Sequence, residues 1–252
     1  MDMKQDKIFI YGKHALIEAL ENMPRAVRKI YLSPKQDDQR LRDLIRKTNI
    51  PTAPLQTKQI QSIESSGTHQ SVIGQIALNE LIIPFKEFIR NIKVEISTAI
   101  VLLAEVQDPH NVGAVIRSAA AFGISGVLIP EHNQAPITGA VIKVSAGMVF
   151  RVPIVSIGNI NQTVRDLKDA GFKIYGLAGE GAENIVKVVF DEPSVFILGN
   201  EGEGIRQKTR ELCDTLLSIP MHPRAESLNA AASASVALYA WSAKHPEALK
   251  RK

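Results

Sequence analysis

The chain has 252 residues, 45% of them hydrophobic and 22% charged, with a formal net charge of +4. That composition is globular and long enough for one large domain or two modest ones, and no apolar run is long enough to span a bilayer. The single cysteine, Cys213, excludes an intrachain disulfide, and no Cys/His cluster has zinc-like spacing.

The N-terminal MDMKQDKIFIYGK has no signal-peptide character, so a reducing cytoplasm is the expected location. Ile8–Lys13 reads as a strand end and turn, and His14–Asn22 as an amphipathic helix with Ala15, Leu16, Ala19 and Leu20 on one face. A strand over Val27–Leu32 follows, then a helix over Asp37–Lys47 with Leu41, Leu44 and Ile45 inward and Arg40, Arg42, Arg46 and Lys47 on its other sides. Thr52–Leu55 is a weak strand, Lys58–Ile63 a short helix, Ser65–Thr68 a turn and Val72–Leu78 a strand. This is a small α/β domain, residues 1–78. Residues 79–98, with Pro84, read as a linker holding one short helix around Phe85–Ile92.

The second domain, 99–252, opens with the apolar strand Ala99–Ala104. Helices are expected over Val112–Phe122, Gly139–Ala146, Ile160–Ala170, Arg206–Cys213 and Asn229–Ala243. Strands are expected over Gly126–Ile129, Val152–Val155, Lys173–Leu177, Val195–Leu198 and Leu216–Ile219, with a frayed tail from His245. Apolar strands alternating with helices imply a mainly parallel sheet covered on both faces, which binds ligands outside the strands' carboxyl ends. Residues 1–95 carry 15 Lys/Arg against 11 Asp/Glu, and the remainder 15 against 15. The basic excess therefore lies wholly in the first part, which suits either a polyanion such as nucleic acid or a plain solvated surface.

Three polar loops fall at strand ends. In Glu105–Arg117, Asn111 is a natural helix cap, Gly113 and Ala114 allow close approach, and Arg117 offers a positive fork that opposes the helix dipole and calls for an anionic partner. In LGNEGEGI, Leu198–Ile205, three glycines enforce a tight path. Its two glutamates suit a hydroxyl or cationic ligand better than a phosphate, and the spacing is not the dinucleotide fingerprint. In Ile219–Tyr239, Ser227 and Asn229 stand where a helix cap belongs, ahead of the small-sided run NAAASAS. Each loop alone also reads as ordinary capping or turn chemistry.

Together, in this order, NxGAxxRxAxxFG, LGNEGEGI and IPM…SLNxxxAxxxxLY resemble the three motifs of SpoU/TrmH-type ribose 2′-O-methyltransferases of the SPOUT class, over residues 99–243. YGKHALIEAL and GTHQSVIGQIA resemble the substrate-binding domain of the branch that methylates rRNA guanosine. The resemblance implies a small N-terminal α/β RNA-binding domain and a parallel sheet with a deep trefoil knot. It implies S-adenosylmethionine held by Ala178, Gly179, Glu180, Gly199, Asn200, Gly202, Ile219, Met221 and Leu228, and a homodimer. It implies Arg117 as the catalytic arginine, Asn111 and Glu201 orienting it and the ribose, and Ser227 and Asn229 holding the hydroxyl and the cofactor's methionine end, with no metal. A guanidinium keeps its proton, so phosphate anchoring and alkoxide stabilisation suit Arg117 better than a role as base. His69 is a turn residue or an RNA contact. The loop HPRAESLN is bulkier and more charged than the family's usual run, and NAAASAS replaces a valine-containing one; both bear on substrate fit. The alternatives are a tRNA ribose 2′-O-methyltransferase and a non-catalytic RNA-binding protein of the same fold. A Rossmann oxidoreductase fits poorly, because no glycine loop follows the first strand.

Overall fold

The structure, a computed structural model, describes residues 7–55, 72–179 and 182–250. The expected helix at Lys58–Ile63, the turn at Ser65–Thr68, and His69 and Glu180 lie outside the described residues. In chain order the elements are β1 (Lys7–Tyr11), α1 (Lys13–Asn22), β2 (Val27–Leu32), α2 (Gln39–Thr48), β3 (Thr52–Pro54), β4 (Val72–Ala77), α3 (Leu78–Leu81), β5 (Ile82–Pro84) and α4 (Phe85–Asn91). Then come β6 (Ala99–Leu103), α5 (Pro109–Ala121), β7 (Gly126–Pro130), α6 (Gly139–Val144), β8 (Ile154–Ile157), α7 (Ile160–Asp169) and β9 (Lys173–Leu177). The last are β10 (Glu183–Asn184), β11 (Ser194–Leu198), α8 (Gln207–Arg210), β12 (Thr215–Ser218) and α9 (Ala230–Ser242). They form two compact units, Met1–Ile82 with Ile137–Arg151, and Ile83–Pro136 with Val152–Lys252.

The first unit is a four-stranded sheet in the order β1-β4-β2-β3. Gly74 of β4 lies in register between Ile10 and Ile30, and a Cβ there would come 2.9 Å from Leu16 Cδ1. Glycine thus lets α1 lie flat on this face. Asp38 caps α2 by accepting from the Leu41 N–H at 3.0 Å, and Asn49 ends it at φ 54°, a left-handed stop that asparagine tolerates. Much of the charge on α2 is matched within the unit: Arg40 pairs with Glu21 at 2.6 Å, and Arg46 with Asp43 at 3.5 Å.

Ile137–Arg151 groups with this first unit, although strand–helix alternation assigns it to the second domain. The cause is close backbone approach. A Cβ at Gly139 would lie 2.3 Å from the Phe9 carbonyl oxygen, and one at Gly147, at φ +81°, would lie 2.9 Å from Glu18 Cβ. Arg151 then pairs with Glu18 through Nε at 2.5 Å and Nη2 at 3.1 Å.

The second unit is an eight-stranded sheet, β10-β12-β9-β11-β6-β7-β8-β5. Its neighbours from β10 through to β8 all pair in parallel. The central strands AIVLL, GVLIP and SVFIL are buried at every residue, as a sheet covered on both faces requires. Residues 79–98 are more than a linker: β5 joins the sheet edge beside β8, and Phe88 of α4 lies in the core with Ile100, Leu128 and Val155. The absence of a side chain at Gly126 admits the Phe88 ring, whose Cζ would stand 2.6 Å from a Cβ. The expected helix over Arg206–Cys213 shortens to α8, because Leu212 and Cys213 bond back to Thr209 and Arg210, three residues away rather than four. The tail is packed as far as Ala248 instead of frayed from His245: His245 is buried, with Nε2 2.9 Å from the Phe190 carbonyl oxygen, and the Ala248 backbone fills the space against Gly123.

The tight turn after α8 presses Cys213 Sγ towards Gly176. Burial, helped by the Asp214 charge, pushes the thiol up to about 11. Because the thiolate is the reactive form, the folded chain is expected to resist iodoacetamide at neutral pH while the denatured chain alkylates fully, as intact-mass measurement would show. Among the described residues, no helix is long and apolar enough to cross a membrane, and no group of three or more His, Cys, Asp and Glu is placed to hold a metal ion.

Candidate active site at the carboxyl ends of the parallel strands

The loop after β6 is held open by an unusual backbone. Glu105 sits at φ +67°, uncommon for a residue with a side chain. It is pinned on both sides: the Ala104 N–H donates to the Leu198 carbonyl at 2.7 Å, and the Gln134 amide bonds both backbone groups of Val106 at 2.8 and 2.6 Å. Asp108, not Asn111, caps α5, accepting from the His110 N–H at 2.8 Å with Pro109 at the first helical position. The helix therefore starts three residues before the expected Val112. Asn111 falls inside its first turn and is buried.

The loop after β11 folds back on itself and onto the first loop. A Cβ at Gly199 would lie 2.2 Å from the Gly204 carbonyl carbon, so only glycine fits. Asn200 and Gly204 exchange backbone hydrogen bonds at 3.0 and 2.9 Å. Asn200 Oδ1 accepts from the Gly202 and Glu203 N–H groups, while its Nδ2 donates to the Glu105 carbonyl at 2.9 Å. Arg206 closes the seam with an ion pair to Glu105 at 2.6 Å.

This stitching carries Glu201 to the start of α5. One carboxylate oxygen accepts from Asn111 Nδ2 at 3.0 Å and the Asp108 N–H at 3.3 Å, and the other from the Gln107 N–H at 3.3 Å. A carboxylate suits a helix N-terminus, where N–H groups lack partners and the dipole is positive. Burial alone would raise the Glu201 carboxyl; the Asn111 amide and the backbone N–H groups outweigh it and hold it below the usual carboxylate range. One of the glutamates in the glycine loop is thus a clamp on the neighbouring helix.

The third loop leaves β12 through the half-buried Ile219 and runs exposed from Met221 to Asn229. Asn229 Oδ1 caps α9, accepting from the Ala232 N–H at 2.7 Å; Ser227 is not the cap. Beside it, the Ala178 N–H donates to the Leu217 carbonyl at 2.9 Å, and a Cβ at Gly179 would meet nothing within 4 Å. Small residues keep α9 close to α5, where the Ser118 and Ser235 hydroxyls stand 2.8 Å apart. Arg117, on α5, is exposed and makes no hydrogen bond or ion pair among the described residues. The structure brings Asn111, Asn200, Gly199, Gly202 and Glu201 into one bonded cluster. No hydrogen bond among the described residues joins Arg117, Ser227, Met221 or Leu228 to it. Asp108, Gln134 and the Glu105–Arg206 pair escape sequence reading; an Asp-Pro at a strand end is a signal that could have placed the cap.

The strand ends of β12, β9 and β11 are neighbours in the sheet. This rim of the sheet ends in the small residues Ala178, Gly179 and Gly199, and the loop that leaves β12 carries exposed apolar side chains at Met221 and Leu228.

Residues 98–239 match the SpoU rRNA Methylase family, and residues 9–81 match the family described as RNA 2'-O ribose methyltransferase substrate binding. A 23S rRNA (guanosine-2'-O-)-methyltransferase RlmB of Nitrosomonas europaea is 33% identical over 234 residues, covering 92% of this chain and 89% of the relative. The protein of that name from Xanthomonas campestris pv. campestris is 34% identical over 241 residues, covering 94% and 96%. Among solved structures, the SpoU methyltransferase AviRb from Streptomyces viridochromogenes in complex with AdoMet has a similar fold, with a TM-score of 0.80 at 24% identity, covering 96% of this chain and 91% of that one. An AdoMet-bound rRNA methyltransferase from Sinorhizobium meliloti gives 0.80 at 23%, covering 96% and 88%. With one domain matched across the three polar loops and relatives a third identical along nearly the whole length, the chain belongs to the SpoU rRNA methylase family.

Proposed function

We propose that this protein transfers a methyl group from S-adenosylmethionine to a ribose 2′-hydroxyl of ribosomal RNA, on a guanosine of the large-subunit RNA. The observation that carries the reading is the division of labour at α5: the Asn111 amide donates to Glu201, while Arg117 has no hydrogen-bond or ion-pair partner among the described residues. An exposed guanidinium in the second half of α5, with no carboxylate paired to it among the described residues, is available for a phosphate or a developing alkoxide. The relatives named as 23S rRNA (guanosine-2'-O-)-methyltransferases support the substrate.

Ala178, Gly179, Gly199, Asn200, Gly202, Ile219, Met221 and Leu228 would hold the cofactor, at the rim where their small or apolar character leaves room. When bound, S-adenosylmethionine supplies a methyl on a positively charged sulfur. The chain's own task is the hydroxyl, a weak nucleophile until its negative charge is stabilised. Arg117 anchors the neighbouring phosphate and faces the oxygen as its proton leaves to water. Glu201 fixes Asn111 so that its amide oxygen is left to orient the ribose, and Ser227 and Asn229 complete the polar lining. The same reading includes a deep knot, with β9 lying between β12 and β11 in the sheet, and work in the cytoplasm. It also includes a homodimer, for which α9 keeps Val236 and Tyr239 exposed, at 39% and 61%, three residues apart.

Tritiated methyl transfer to unmodified rRNA and to tRNA tests the reading. Label in rRNA, recovered in an alkali-resistant dinucleotide, is expected. Label in tRNA alone overturns the substrate and keeps the chemistry; no label in naked RNA or in ribosomal particles overturns the enzyme.

A further inference from the structure

The face of the first unit's sheet that α1 does not cover carries side chains without a task so far. Alternation along β1 sends Lys7, Phe9 and Tyr11 to one face and the buried Ile10 to the other. Register sets Phe9 and Lys29 on either side of Gln75, and Tyr11 and Tyr31 on either side of Ile73. Phe9 remains 43% exposed, although a phenyl ring in water is unfavourable. Its ring leans on Tyr31, with centroids 6.5 Å apart and planes at 50°. Lys29 Nζ stands 5.3 Å from the centroid of the same Tyr31 ring and forms no ion pair among the described residues, unlike Arg40 and Arg46 on α2.

We propose that this face is a stacking platform for unpaired bases of an RNA strand, with Phe9 and Tyr31 presenting rings and Lys29 and Lys7 meeting the phosphates. Aromatic rings accept any base by stacking, and cations beside them follow the backbone. The basic excess of the chain lies wholly in residues 1–95, which matches a polyanion. A duplex keeps its bases stacked on each other and offers none to a ring, so the occupant is single-stranded. The inference rests on RNA being the substrate, as proposed above, and goes beyond it by naming the face and the form of RNA.

The test uses the full chain with a labelled, unstructured RNA oligonucleotide and, separately, its duplex. Phe9→Leu keeps an apolar side chain and removes the ring; it is expected to weaken single-strand binding about tenfold and leave duplex binding unchanged. Lys29→Gln is expected to lower the slope of log affinity against log salt by about one. In Phe9→Trp, the introduced indole is expected to be quenched by the single strand. Wild-type affinity of Phe9→Leu for the single strand, or an equal loss on strand and duplex, overturns the platform. The methyl-transfer reading fails separately: no methyl incorporation by the wild type, with the quench intact, removes the enzyme and leaves the platform standing.

Discussion

Replacing Arg117 by alanine is expected to lower methyl transfer to rRNA by about a thousandfold, with cofactor affinity unchanged. The size follows from the charge that develops in the transition state. A fixed donor aimed at an oxyanion loses little before the reaction and contributes most as the proton leaves. The exposed guanidinium has no hydrogen bond or ion pair among the described residues to lose, so the melting temperature should stay at the wild-type value. Arg117→Lys keeps the charge without the planar fork and should recover only a small part of the rate. Single-turnover rates with saturating cofactor, beside calorimetric cofactor binding, check both parts. A rate near wild type in Arg117→Ala would move the catalytic task to another residue.

Gly199→Ala should have the largest effect on stability. The added Cβ would stand 2.2 Å from the Gly204 carbonyl carbon and 2.3 Å from the Ile205 nitrogen. Both are backbone atoms that cannot swing aside. Overpacking of this kind costs about 3 kcal/mol, which lowers the melting temperature of a chain this size by roughly 6–12 °C. The displaced loop would also carry Glu201 away from Asn111, so cofactor affinity and rate should fall together. Gly158→Ala is the control, because a Cβ there meets nothing within 4 Å. Thermal unfolding of the two variants side by side decides the matter; equal melting temperatures would show that the loop relaxes without cost.

The parts of this fold that repeat a period were legible in the sequence. The buried strands β6, β7 and β11 announce themselves as unbroken apolar runs, and α2 and α7 as amphipathic helices. The three loops were legible because glycine, asparagine and arginine recur at strand ends. What stayed hidden was set by contacts distant in sequence. Glu201 looked like a ligand group because nothing local reveals the N–H groups of Gln107 and Asp108 that it accepts from. The cap moved from Asn111 to Asp108 because two cap-forming residues stand three apart and only geometry chooses between them. The tail looked frayed because its order depends on Phe190 and Gly123, far back in the chain.

The grouping of Ile137–Arg151 with the first unit has a consequence for how this protein can be cut and recombined. The polypeptide passes from one unit to the other three times: after Ile82, before Ile137 and after Arg151. A chain severed at Ile82 would leave Gly139 without the Phe9 carbonyl it abuts and Arg151 without Glu18. The first unit is therefore no detachable cassette, and a chimera that exchanges recognition between relatives must carry two separate stretches of sequence. The stretch that completes the first unit is thus encoded between the loop after β6 and the loop after β11, and the two units are inherited as one interleaved sequence.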